Sequence, residues 1–188
     1  MTFWYTARNT YSPTFEDGTG WTKYIIWSRL TQLKELVSLD SILCGLSFKT
    51  DYAKQEIYQY AIIDNGYTTD LFNSLHYVLK NVASKSNFNL LAVVKEPNED
   101  CKNIQIADFD FVGYDLIDSE YNVSALTNCG GFDETFSSQD LNHMGLIDEY
   151  AKAFNIRMRL IENNPEEHHA DCNVFGLWRH KTVGKTKL

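Results

Sequence analysis

Proline is scarce in this chain, with residues only at 13, 97 and 165, and no internal repeat or low-complexity tract accompanies them. Nothing therefore marks a linker between domains, and a chain of 188 residues with 44% hydrophobic and 14% aromatic content is read as one domain over 1–188, its last eight or so residues a flexible basic tail. No window approaches the roughly 18–20 apolar residues needed to span a bilayer. The opening "MTFWYTARNTYSP" has no basic stretch followed by an apolar run, so a cytoplasmic protein without membrane attachment is expected. CxxC pairs are missing too. The four cysteines stand far apart at 44, 101, 129 and 172, a spacing that suits reduced thiols better than disulfides in a chain without a secretion signal.

Basic residues are nearly absent from one long window. Between Glu96 and Glu120 there are eight acids (Glu96, Glu99, Asp100, Asp108, Asp110, Asp115, Asp118, Glu120) and one base, Lys102, so this window carries −7 of the net −8. Nucleic-acid binding draws its affinity from clustered Lys and Arg, which excludes a phosphate backbone as the expected partner. A basic protein is the expected partner instead, steered by Asp108, Asp110, Asp115, Asp118 and Glu120. Alternation places part of this set, such as Asp108 and Asp110, opposite Phe109 and Phe111 across the sheet, so these carboxylates face outward together if the aromatic side is core.

What is present reads as α+β, with a mostly antiparallel sheet packed by three main helices. Ile26, Leu30, Leu33 and Val37 recur at four, three and four, predicting a helix over about 21–38 with a break near Ser28. "EIYQYAIID" at 56–64 reads as a strand, closed by the turn signal Asp64-Asn65-Gly66. Thr68 or Thr69 is then the expected N-cap of a helix whose stripe is Leu71, Phe72, Leu75, Val78, Leu79 and Val82. "FNLLAVV" at 88–94 and "FDFVGYDLI" at 109–117 read as central strands and antiparallel neighbours. Ile147, Tyr150, Phe154, Met158 and Ile161 predict a helix over 146–162, and "NVFGLWRH" at 173–180 a closing strand.

Two clusters raise chemistry. In "ALTNCGGFDETF", Cys129 stands before Gly130 and Gly131, whose backbone N–H groups could serve an oxyanion, while His143, His168 and His169 supply candidate bases. The same residues also describe a tight turn with glycines at positive φ and a small thiol beneath, and the turn is the favoured reading. In "EEHHADC", Glu166, Glu167, His168, His169, Asp171 and Cys172 offer ligand types without the C-x-x-C, H-x-x-x-H or HExxH spacings that converge on one ion. No metal and no cofactor are expected. Gly184-Lys185-Thr186 lacks the first glycine of a phosphate loop, since Arg179 stands there.

The segments "DSEYNVSALTNCGG", "LNHMGLI" and "EEHHADCNVFGLWR" together resemble a recurring pattern of small uncharacterised bacterial proteins: Ser-Ala-Leu-Ser/Thr-Asn-Cys-Gly, then Leu-Asn and Gly-Leu, then Glu-His before a closing strand. The likeness covers roughly residues 110–180, and this chain departs from it with Gly131 at an aromatic position. Some small acidic proteins of this kind are similar to immunity partners of bacterial toxins, which implies a binding role. A protein-binding module is thus the leading expectation, and a cysteine-dependent hydrolase or transferase built on Cys129 is the alternative.

Overall fold

A computed structural model of the chain describes residues 1–11, 20–49, 54–83, 87–121, 123–128, 135–163, 165–166 and 170–183. Its centre is one six-stranded sheet, in which every pairing between neighbouring strands is antiparallel. The strands are β1 (Trp4–Asn9), β2 (Ala61–Asp64), β3 (Tyr67–Phe72), β4 (Phe88–Lys95), β5 (Phe109–Asp118) and β6 (Cys172–His180), in the spatial order β2-β3-β1-β4-β6-β5. Four helices accompany them among the described residues: α1 (Gly20–Ser28), α2 (Lys54–Tyr60), α3 (Leu75–Asn81) and α4 (Tyr150–Asn163). The class is α+β, as expected. None of these helices is long and apolar enough to cross a membrane.

β4 lies inside the sheet because its sequence leaves no polar face: the strand FNLLAVVK is buried at every position but the last. An apolar run of that kind marks a strand covered on both sides. One side packs Ala92, Leu90, Tyr114, Leu116 and Trp178 with the helices' apolar residues Val78, Ala153, Ile156 and Leu160. The other packs Leu91, Val93, Phe175 and Leu177 under Val37, Leu39 and Met144. β4 and β5 are not neighbours, contrary to expectation. β6 is inserted between them, with Val93 opposite Leu177 on one flank and Leu116 opposite Val174 on the other.

Several local expectations are corrected. The helix over 21–38 ends at Ser28, because Arg29 takes a left-handed φ of 59°. Ile26 is consequently 72% exposed, while Leu30, Leu33 and Val37 are buried from an irregular segment whose N–H groups reach across the chain, as Val37 N does to Met144 O at 3.0 Å. Apolar spacing here reports burial without a helix.

The strand over 56–64 is a helix followed by a strand, α2 and then β2. Asn65 and Gly66 both have positive φ, 48° and 84°, the backbone of a two-residue hairpin turn that suits the twist of its strands. The turn signal was sound, but it commits the chain to return as β3. Leu71 and Phe72 are therefore strand residues, and Thr69 donates its hydroxyl to Ile62 O at 2.9 Å instead of capping a helix. The helix begins later, where the Ser74 hydroxyl accepts from Tyr77 N at 3.2 Å.

α4 starts at Tyr150, and its buried residues are Ala153, Ile156 and Leu160, leaving Met158 and Ile161 about half exposed. Ile147 belongs instead to a bridge with Tyr114 on the outer edge of β5.

A register shift between Phe111 and Gly113 bends β5 against this edge. Gly113 has a φ of +139°, and a Cβ there would lie 2.6 Å from Leu146 Cβ and 3.0 Å from Ile147 O. Both the backbone conformation and the space demand glycine. Gly113→Ala is expected to destabilise the protein by about 2–4 kcal/mol, combining strain and overpacking, as read from the urea midpoint at unchanged slope.

Candidate functional site

Two carboxylates lie fully buried at the junction of the sheet with its covering segments. Asp115, on β5, accepts from the Ser38 hydroxyl at 2.6 Å and Leu39 N at 3.0 Å through Oδ2, and from the Ser124 hydroxyl at 2.7 Å and Leu116 N at 2.9 Å through Oδ1. Asp40 accepts from Ile42 N at 2.8 Å and Leu43 N at 2.7 Å through Oδ1, and from Ser124 N at 2.9 Å and Asn128 Nδ2 at 3.0 Å through Oδ2. Burial pushes the Asp115 carboxyl up, against the pull of its donors Ser38, Ser124 and Leu39. Such donors are what make a buried carboxylate tolerable. The arrangement pins 38–43 and 124–128 to the same strand.

Cys44 sits in this cluster, where desolvation pushes its thiol up to about 12, with Asp40 and Asp115 adding to the rise and the charge of buried Arg8 opposing it. Desolvation likewise pushes Cys101 up to about 11 and Cys172 to about 12, and all three are buried and free. None is a thiolate nucleophile at neutral pH. Cys129, with Gly130 and Gly131, lies outside the described residues, as do Glu167, His168 and His169 of the ligand-rich segment. His143 is described: its ring is exposed, and its carbonyl accepts from Lys34 N at 2.9 Å.

Two of the three sequence blocks nevertheless meet. Gly145, with φ +85°, brings its Cα so close to Thr127 that a Cβ would stand 2.9 Å from Thr127 Cγ2. Asn142 builds the turn that carries it: its Oδ1 accepts from Met144 N at 2.9 Å and Leu146 N at 3.2 Å, and its Nδ2 donates to Val112 O at 3.0 Å. "SALTN" and "LNHMG" are thus neighbouring loops at the outer edge of β5.

The acidic set does not face outward together. Asp115 is fully buried and Asp118 is 7% exposed, because the shift at Gly113 breaks the alternation and 38–39 and 123–124 cover this end of the strand. Asp108 and Asp110 are exposed at the strand's other end, where Asp110 faces Lys181 at 3.6 Å. Asp110 and Asp118 are separated by roughly 27 Å of strand at about 3.4 Å per residue, more than a Debye length of about 8 Å.

Glu120 is exposed and has a different neighbour, accepting from the Tyr67 hydroxyl at 3.3 Å. Tyr67 stands on the β2–β3 hairpin beside a compact polar cluster: Lys95 and the Tyr121 hydroxyl both donate to Asp64, and Lys95 also donates to Tyr121 at 3.1 Å. Those bonds hold the Asp64 carboxyl below the usual carboxylate range. Asp40, Ser38 and the return strand β3 escape a reading of the sequence alone, although Asp-Ser-Ile-Leu at 40–43, an acid two and three residues before the N–H groups it accepts from, is a turn signal.

No family model, no curated protein and no solved structure matches the chain, so the blocks stand on their own geometry.

Asp115→Ala is expected to leave the N–H groups of Leu39 and Leu116 without acceptors and to cost about 2–6 kcal/mol, at roughly 1–3 kcal/mol per orphaned group, measured by denaturant unfolding. Asp64 has its pKa depressed in the folded state, so its contribution is full above its unfolded pKa of about 4 and is lost as pH falls through the lower folded value. Asp64→Asn should flatten the acid limb of the stability profile below pH of about 4 and leave the loss above it constant.

Proposed function

We propose that this chain acts by binding another protein, in the cytoplasm, with a basic surface on the partner; the resemblance in the sequence gives immunity to a toxin as the specific form. One observation carries the reading. β2 is an edge strand with no neighbour but β3 among the described residues, and it presents Ile63, 63% exposed, with Tyr67, 44% exposed, on the adjoining strand. Exposed apolar edges are usually blunted, since their free backbone groups pair with other chains. Here tyrosine, an aliphatic side chain and Glu120 stand at one hairpin, the mixture that protein interfaces favour at an anchor and its rim. The net charge of −8 adds long-range attraction for a cationic partner.

The test compares wild type with Ile63→Glu and Glu120→Gln in capture from source-cell extract, followed by association kinetics with the partner recovered. Ile63→Glu should weaken binding tenfold or more, on the order of 1.4 kcal/mol or above, and Glu120→Gln should slow association mainly at low salt. Equal kinetics for all three proteins, or a partner without a basic surface, would remove the reading.

A cysteine-dependent hydrolase or transferase is the second reading, favoured by the packing of Gly145 against Thr127, which places the His143 turn beside the block leading to Cys129. The binding reading expects Cys129→Ser to retain partner capture, and native-state iodoacetamide to leave Cys44, Cys101 and Cys172 unmodified because they are buried and protonated. A thiol at 129 that reacts rapidly at pH 6, together with loss of function in folded Cys129→Ser, favours the enzyme.

A further inference from the structure

A cleft of about 370 Å³ opens at the outer edge of β5, away from the hairpin, lined by Lys102, Phe111, Val112, Asn142, His143, Met144 and Asp148. Its size falls at the small end of the roughly 300–1,000 Å³ of small-molecule sites. The apolar wall is packed against the core. Phe111 is held by edge contacts with Tyr114 and Trp178, at centroid distances of 5.1 and 5.4 Å. Val112 and Met144 are almost completely buried and close the apolar side.

The polar side combines committed and uncommitted groups. Asn142 is fully engaged: besides its bonds to Val112, Met144 and Leu146, its Nδ2 donates to Asp148 Oδ1 at 2.7 Å, which locates that carboxylate at the cleft. Asp148 Oδ2, the Lys102 ammonium and the His143 ring have no partner among the described residues. An apolar wall thus stands with one carboxylate oxygen and two groups able to donate to an anion.

We infer that this cleft binds a free α-amino acid with an apolar side chain, its carboxylate meeting Lys102 and His143, its ammonium meeting Asp148, and its side chain lying on Phe111, Val112 and Met144. A phosphorylated ligand fits less well, since Asp148 and a net charge of −8 oppose a multiply charged anion. A purely apolar ligand would leave three charged or polar groups desolvated without compensation.

The full chain is titrated with L-phenylalanine, L-leucine, N-acetyl-L-phenylalanine and L-phenylalaninamide by calorimetry and ligand-observed NMR, for wild type, Lys102→Met and Asp148→Asn. Lys102 and Asp148 are both exposed, so the variants should keep the wild-type circular dichroism. The free amino acids are expected to bind saturably at one site. N-acetylation and Asp148→Asn should each weaken phenylalanine at least about tenfold, the loss of a charge-assisted hydrogen bond, and the two changes together should cost little more than either alone. Amidation and Lys102→Met should behave the same way at the other end. No saturable binding of either amino acid by wild type below about 10 mM overturns the assignment, as does binding insensitive to modification at either end of the ligand.

Discussion

The buried carboxylate of Asp115 is the constraint on which the rest of the structure depends. It accepts from two hydroxyls and two backbone N–H groups, drawn from 38–39, 116 and 124, and so joins an irregular covering segment, an edge strand and a loop at one point. Asp40, equally buried, repeats the device, accepting from Ile42, Leu43, Ser124 and Asn128. Loops of this kind have no ladder to satisfy their backbone, and a carboxyl group with two acceptor oxygens can meet several donors at one point. Removing the acceptor would free the cover on one face of the sheet. The two carboxyl groups are thus structural anchors, and at Asp115 burial pushes the pKa up against the pull of its donors.

Topology explains why that anchor is needed. β6, the last strand in the chain, lies between β4 and β5, so the pairings at the centre of the sheet join residues far apart in sequence, such as Leu91 with Arg179. β5 becomes an edge, and its outer side is occupied by short bridges to Ser124 and Ile147 in place of a full strand. Asn142 and Asp115 hold those bridging loops, while Gly113 and Gly145 make room for them at contacts where any side chain would collide. The opposite edge, β2, has no such cover among the described residues, and there the exposed Ile63 and Tyr67 stand. The two edges therefore differ: one is closed by loops that border a cleft, and the other has no covering strand among the described residues.

Acidic residues that look alike in sequence have separate physical roles. Asp115 organises the interior, Asp64 binds Lys95 and Tyr121, and Asp110 faces Lys181 at the surface, while Glu120 joins the hairpin through Tyr67. A count of charges in a window of sequence cannot separate these, because burial and pairing are set by segments distant in the chain.

What the sequence determined by itself are the features that depend on local composition. β4 and β6 could be read directly, since runs such as FNLLAVV and NVFGLW are apolar enough to be buried in any context, and Asn65-Gly66 specified a tight turn because both positions need positive φ. The existence of an α+β chain with a mostly antiparallel sheet followed from these elements. β1 went unread because Thr6 and Arg8 put polar groups at positions that the fold buries. Only the tertiary structure decided the rest: that β6 separates β4 from β5, that Leu30, Leu33 and Val37 are buried from a segment without a helix, and that Asp115 turns inward while Asp110 turns out. Each of these outcomes rests on contacts between distant residues, Ser38 with Asp115 or Thr127 with Gly145, whose energies no neighbouring residue in the chain encodes.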